Sequence, residues 1–230
     1  MGKGVSKDHE DASGDPQPAT IHPSVLGAPV RHAVVAGHLG DRRNASRLLD
    51  HSDPAVRAGA LGALFRMGAI DASALGDALG DPDAEVRHRA CVLGGRALGT
   101  GGGDVSLVEA LTATLTTDPD AMVVESAAWA LGEAGSQCGP VTVHGLEEVA
   151  RHHDDPLCRE SAVAALGAIG DPGALDVVLS ALEDKPAVRR RAAIALAAFD
   201  DPRVEVALRR CLDDRDWQVR QAAEDLLVRP

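Results

Sequence analysis

Between Asp155 and Pro172 the apolar positions fall with a helical period. Cys158, Ala162, Ala165, Leu166 and Ile169 stand at i, i+4, i+7, i+8 and i+11, which gathers them on one face of a helix with 3.6 residues per turn. The start and the stop are both written. Asp155 offers a short carboxylate to the orphan N–H groups of a first turn, and Pro156 follows where its missing N–H costs nothing. Gly170 can take the positive φ of a helix terminus, and Asp171-Pro172 cannot continue the helix.

Variants of this stretch recur. Asp53…Val56-Arg57…Ala60…Leu64…Gly68, Asp83…Val86-Arg87…Ala90, Asp120…Val123…Ala127…Leu131-Gly132…Gly135, Val188-Arg189…Ala192…Leu196 and Asp216…Val219-Arg220…Ala223…Leu227 align on Arg159. The second copy reads as losing register by one residue near Gly94-Gly95. Val124 takes the arginine position in the third, and Lys185 takes the aspartate position in the fifth, with Asp184 just before it. The shared valine or cysteine recurs after 30, 37, 35, 30 and 31 residues, a period that signals a solenoid. Each repeat carries a leading helix as well: Asn44–Leu49, Ala74–Leu79, Leu107–Leu115, Leu146–Arg151, Leu175–Leu182 and Val204–Leu212. One helix pair buries too little alone, so neighbours must stack. Ala60, Ala90, Ala127, Ala162, Ala192 and Ala223 keep the stacking helices close.

The motif D-x-x-x-R-x-x-A-x-x-x-L-G-x-x-G at a period near 30 resembles the HEAT-like repeats of the bilin-lyase type, over roughly Val30 to Val228. The resemblance implies an all-α fold, a right-handed α-solenoid of about six helix pairs whose second helices line a concave surface. It also implies a ladder of Asp–Arg hydrogen bonds between adjacent repeats. Val124 and Lys185 interrupt that ladder, so looser stacking is expected around the third and fifth repeats.

Composition narrows the function. The 230 residues include two Phe, two Trp and no Tyr, and the formal net charge is −12. Such a balance argues against nucleic acid, whose binding is driven by counterion release at a basic surface, and against an acidic membrane surface. No apolar run approaches the length of a membrane span, and the first residues lack the apolar core of a signal peptide, so a cytoplasmic protein is expected. Cys91, Cys158 and Cys211 read as buried helix residues, and Cys138, between Gly135 and Pro140, as the one candidate reactive thiol. His152-His153-Asp154-Asp155 reads as a helix end followed by a cap and not as a metal site. Residues 1–24 read as a disordered tail, residues 25–230 as the solenoid, and Val30–Gly40 within it as a truncated capping unit. Gly99–Asp104 reads as a flexible loop between repeats, since it lacks the strand and Lys-Ser/Thr of a phosphate loop, and Ser136–His144 as a second insertion.

Related repeat proteins suggest chemistry to look for. Deoxyhypusine hydroxylase resembles this chain in fold and holds iron with His-Glu pairs directly after the repeat arginine. The matching pairs here are Ala58-Gly59, His88-Arg89, Glu125-Ser126, Glu160-Ser161, Arg190-Arg191 and Gln221-Ala222, and none is His-Glu. The alkylpurine DNA glycosylases with HEAT-like repeats would need a basic, aromatic groove. No cofactor or metal is expected. What remains is the ridge of second helices. Positions +1, +2, +5 and +9 after the arginine share a face and supply His88, Arg89, Arg96, Glu125, Trp129, Glu133, Glu160, Arg190 and Arg191. The ridge alternates basic, acidic and basic, which reads either as a solvated helix face or as a groove selecting a protein partner, with Trp129 either its anchor or part of the core. The sequence therefore predicts a non-enzymatic scaffold or adaptor that binds another protein along its concave face, the alternative being a bilin-lyase-like enzyme or accessory factor handling a chromophore or other small molecule.

Overall fold

The computed structural model describes residues 40–101 and 104–227, which form twelve α-helices in six successive pairs. The pairs are α1 (Arg42–Arg47) with α2 (Pro54–Arg66), α3 (Ala72–Leu79) with α4 (Ala84–Gly99), and α5 (Val105–Thr117) with α6 (Ala121–Ala134). They continue with α7 (Pro140–His152) and α8 (Pro156–Ile169), α9 (Leu175–Ser180) and α10 (Pro186–Ala195), then α11 (Pro202–Cys211) and α12 (Trp217–Leu227). No strand occurs among the described residues. The expected tail at residues 1–24 and most of the expected capping unit at Val30–Gly40 lie outside the described residues.

The helices start where short carboxylates can serve them. Asp41, Asp53, Asp71, Asp83, Asp104, Asp120, Asp155 and Asp201 each accept a hydrogen bond from a first-turn N–H. Gly170 ends α8 at φ 69°, the left-handed conformation that a side chain would resist. The first helix of the fourth pair begins at Pro140, behind the backbone cap of Gly139. Most of the stretch expected as an insertion, Ser136–His144, is therefore helix, and its start was hard to read because Gly139 has no side-chain oxygen.

Helices α4, α6, α8 and α10 stack directly on one another through small residues. A Cβ on Gly95 would come 2.9 Å from the Cα of Ala130, one on Gly132 would come 3.2 Å from the Cα of Ala165, and one on Gly167 would come 2.9 Å from the Cα of Ala195. The three glycines stand eight positions after the arginine position of their repeats, and the three alanines six after. Gly95 thus holds the same place as Gly132 and Gly167, and α4 runs unbroken to Gly99, so the expected loss of register near Gly94-Gly95 does not occur. Around this seam Leu61, Leu75, Leu93, Leu107, Leu111, Leu131, Leu146, Leu166 and Leu196 are fully buried. Each such side chain contributes about 1.5–3 kcal/mol of transfer free energy. Most of the buried residues form one continuous cluster, which no single pair could build.

Candidate interaction site

The repeat arginines lie between consecutive pairs and do two things. Each turns back on the loop before its own helix, as when Arg159 donates to the carbonyls of His153 and Asp154 at 2.6 and 3.0 Å. Four of them also reach forward in a two-pronged contact to an aspartate of the next repeat: Arg57 to Asp81, Arg87 to Asp118, Arg159 to Asp184 and Arg189 to Asp214, with shortest distances of 2.7, 2.7, 2.7 and 2.8 Å. Parallel N–H···O bonds of this kind fix geometry as well as charge.

Two expectations are corrected here. The ladder aspartate is not the helix cap: Asp83, Asp120 and Asp216 already accept first-turn N–H groups, and the residues two before them take the arginines. Lys185 does not interrupt the ladder, because Asp184 supplies the carboxylate in its place. Among the described residues, only the step from the third to the fourth pair lacks an ion pair of this kind. There Val124 is 2 % exposed, and His153 occupies the place of the ladder aspartates. Nor is the stacking loose at that step, since the α6–α8 packing is among the most extensive between any two helices.

The ridge residues divide by what they touch. Glu160 is not a free acceptor: Arg190 and Arg191 both reach it from the next helix, at 3.5 and 3.3 Å. Two guanidiniums then share one carboxylate, and the Nε atoms of both are buried without a partner. Arg89 lies half-buried across α2, close enough that a Cβ on Gly62 would come 2.5 Å from its Nη2. Arg96, Glu125 and Glu133 have no oppositely charged side chain within 4.0 Å among the described residues, and His88 forms no ion pair there either. Trp129 is 40 % exposed, with one ring edge packed over Gly95, so it is neither wholly core nor wholly free.

Three residues of this face escaped the sequence reading. Ile194 stands five positions after Arg189, as Trp129 stands five after Val124, and both are exposed. Arg66 stands nine after Arg57, the position Arg96 holds in the next repeat, and the same spacing rule could have found it. Trp217, 63 % exposed, opens α12 directly after the cap position and lies outside the four ridge positions, so their spacing gave no signal for it. Ile194 and Trp217, with Arg190, Ala222, Asp225 and Leu226, line a groove of about 370 Å³. A larger cavity of about 720 Å³ lies near α9 and α11, but the Arg189 and Asp214 on its wall are spent on each other.

Burial pushes the Cys138 thiol up to about 11, and its Sγ donates to the Leu131 carbonyl at 3.3 Å, so the candidate reactive thiol is a poor nucleophile at neutral pH. Cys91, Cys158 and Cys211 are buried as expected. Nδ1 of His153 accepts from the Asp155 N–H at 3.1 Å, which makes it part of a loop. Among the described residues no three His, Cys, Asp or Glu side chains converge as metal ligands, and no helix is long and apolar enough to cross a membrane.

A family model for HEAT repeats matches residues 72–166 and 143–228. Among solved structures, the chain is similar to an engineered protein at TM-score 0.62 and 24% identity, over 81% of this chain and 97% of that one. It is similar to a designed armadillo repeat protein in complex with the peptide (KR)4 at TM-score 0.53 and 16% identity, over 90% and 98%. It is also similar to the complex of CpcE and CpcF of phycocyanin lyase from Nostoc sp. PCC7120 at TM-score 0.57 and 25% identity, over 94% and 80%. No curated protein matches the sequence.

Proposed function

Because the chain belongs to the HEAT-repeat family, we propose that it is a non-enzymatic scaffold that binds another protein along the ridge of its second helices. The observation that carries this reading is the pair Trp129 and Ile194. Large apolar side chains stand exposed at one repeated position, on helices whose backbones touch through Gly–Ala contacts. Exposed aromatic and aliphatic groups on a rigid support make the anchors of protein interfaces, because little motion is lost when a partner covers them. Flanking charges then choose the partner. Of the residues expected in the interface, His88, Arg89, Arg96, Glu125, Trp129, Glu133, Arg190 and Arg191 retain this role. Glu160 acts through the two arginines it holds.

The test is affinity capture from the native lysate with the wild-type chain and with a combined Arg89→Ala, Trp129→Ala, Arg190→Ala variant. The expected result is a stoichiometric partner retained by the wild type and lost by the variant, with helical circular dichroism unchanged. Retention of that partner by the variant would overturn the assignment to this face.

One observation favours a second reading. The likeness to the phycocyanin lyase complex reaches 25% identity over 94% of this chain, which suits a lyase-like protein or accessory factor. Protein purified from its own host would then carry visible absorbance, and colourless protein would count against that reading.

A further inference from the structure

Most arginines of the described chain are committed. Four form the ladder, Arg190 and Arg191 share Glu160, and Arg203, Arg209 and Arg210 reach carboxylates of their own. Arg42, Arg43, Arg47 and Arg215 stand exposed and apart without such a partner among the described residues, whereas Arg66, Arg89 and Arg96 are gathered. These three lie on the ridge at its second-helix positions in the first two repeats, and among the described residues none has a carboxylate within 4.0 Å or a side-chain hydrogen bond. Arg89 crosses from α4 to lie over Gly62 on α2. Arg66 is four residues beyond Gly62, one turn along the same helix face. Arg96 is seven residues beyond Arg89 on the same face of α4. Gly62 leaves the room that the Arg89 guanidinium fills, since even a methyl group there would collide with it.

This arrangement works against the fold. A guanidinium carries five N–H donors, and those of half-buried Arg89 meet no acceptor among the described residues, while Arg66 and Arg96 stand exposed beside it. Burial, with the charges of Arg96 and Arg66 beside it, holds Arg89 below the usual arginine range. Like charges gathered without a counter-charge cost stability unless an anion is meant to arrive.

We infer that Arg66, Arg89 and Arg96 form a docking site for an acidic segment of a partner protein, with Arg89 making a bidentate contact to one carboxylate. The inference rests on the scaffold reading and names the chemistry of its partner. Arg66 and Arg96 occupy one position on adjacent stacked helices, about 8–10 Å apart. A polyproline-II segment covers that span in three residues at about 3.1 Å each and brings every third side chain to the same face. The segment therefore carries carboxylates spaced three apart. A long polyanion fits worse than a peptide. Glu133 on α6 lies against Gly99, three residues past Arg96, and the whole chain carries −12. Such a field repels a continuous phosphate backbone but tolerates a few localised carboxylates.

The experiment is fluorescence anisotropy at physiological salt. The probe is a labelled glycine–serine peptide bearing glutamate at every third position, with a glutamine version as control. The acidic peptide is expected to bind and the glutamine version not to bind. Arg89→Gln should weaken binding about tenfold or more, the worth of a hydrogen bond to a charged group. Adding Arg66→Gln and Arg96→Gln should abolish it. Arg42→Gln with Arg43→Gln, on the exposed face of α1, should change nothing. A readout that mere structural damage would not give is the sign of the stability change. Arg89→Gln should leave the melting temperature equal or higher while binding falls, because it relieves the repulsion. Equal binding of the two peptides, or binding unchanged in Arg89→Gln, overturns the inference. So does tripolyphosphate displacing the peptide far more strongly than free peptide does, which would make the ligand a phosphate group. A partner captured from lysate in a Trp129- and Arg190-dependent way, alongside failure of the acidic peptide, would leave the scaffold reading standing and sink only this one.

Discussion

Two neighbouring steps of the stack solve the same problem differently. Between the second and third pairs, Arg87 grips Asp118 with bonds of 2.7 and 3.0 Å. Between the third and fourth pairs both partners are missing at once, with Val124 for the arginine and His153 for the aspartate. His153 keeps half of the aspartate's work. Its Nδ1 accepts the N–H of Asp155, as the Asp118 carboxylate accepts that of Asp120 at 2.9 Å and His51 accepts that of Asp53 at 3.0 Å. The loop is held in every case, and only the rung between repeats is given up. In its place the first helices are joined by a buried contact between the hydroxyls of Thr112 and Thr142 at 2.9 Å. The glycine–alanine seam runs through both steps. Stacking is therefore carried by the seam, and the ion pair adds orientation. A desolvated pair is close to neutral against an apolar replacement, whereas losing one member alone is costly.

That asymmetry gives the largest expected effect. Asp118→Ala strands Arg87 and also strips the acceptor from the Asp120 N–H. Asp118 is 5 % and Arg87 13 % exposed at the side chain, so the loss should be about 3 kcal/mol in chemical denaturation. The matched change His153→Ala, which strands no charge, should cost only about 1 kcal/mol. Equal losses at the two steps would contradict the division of labour described above.

The sequence made the stack legible because its period and its caps are local signals. Asp155, Pro156 and Gly170 each act within a few residues of themselves. The ladder was harder. Each loop carries aspartates two residues apart, such as Asp81 and Asp83, and spacing does not say which carboxylate is consumed by the helix N-terminus. Lys185 misled for the same reason, since the acceptor had simply moved to Asp184. On the ridge, position in the repeat identified Arg89, Trp129 and Arg190, but whether a charge is spent depends on the neighbouring helix. Glu160 was spent on Arg190 and Arg191, and Arg89 on nothing among the described residues.

The seam itself can be broken at the step that has no rung. A Cβ on Gly132 would meet Ala165 at 3.2–3.3 Å, contacts a small shift can relieve, so Gly132→Ala should be near neutral once the gain in helix propensity is counted. The branched side chain of Gly132→Val has no such escape and should cost about 2 kcal/mol. At the neighbouring step the space is tighter, with the Trp129 ring at 2.6 Å and Ala130 Cα at 2.9 Å from a Cβ on Gly95. Gly95→Ala should therefore cost more than Gly132→Ala, and thermal melts of the two variants check the order.

A fifth rung can be installed. Val124→Arg alone places a cation in a site where Val124 is 2 % exposed and should destabilise. Combined with His153→Asp, which restores the arrangement of the other steps, it should recover a coupling energy of about 1 kcal/mol in a double-mutant cycle. A coupling of zero would mean that the α6–α8 step differs from the others in backbone geometry and not only in these two side chains.

The smallest effect separates the rungs by pH. Hydrogen bonds from Arg159 hold the Asp184 carboxyl below its ordinary value of 3.8. The folded value is the lower one, so the rung's contribution is complete above that ordinary value and is lost as pH falls below it toward the folded value. Partly exposed pairs contribute on the order of 0.5 kcal/mol, which moves the melting temperature of a chain this size by about 1–2 °C. Replacing both members, Arg159→Met with Asp184→Asn, should therefore flatten the fall in melting temperature below about pH 4 while changing little at neutral pH. If the two curves stay parallel through that window, the carboxylate is not titrating against the fold, and the rung is a spacer only.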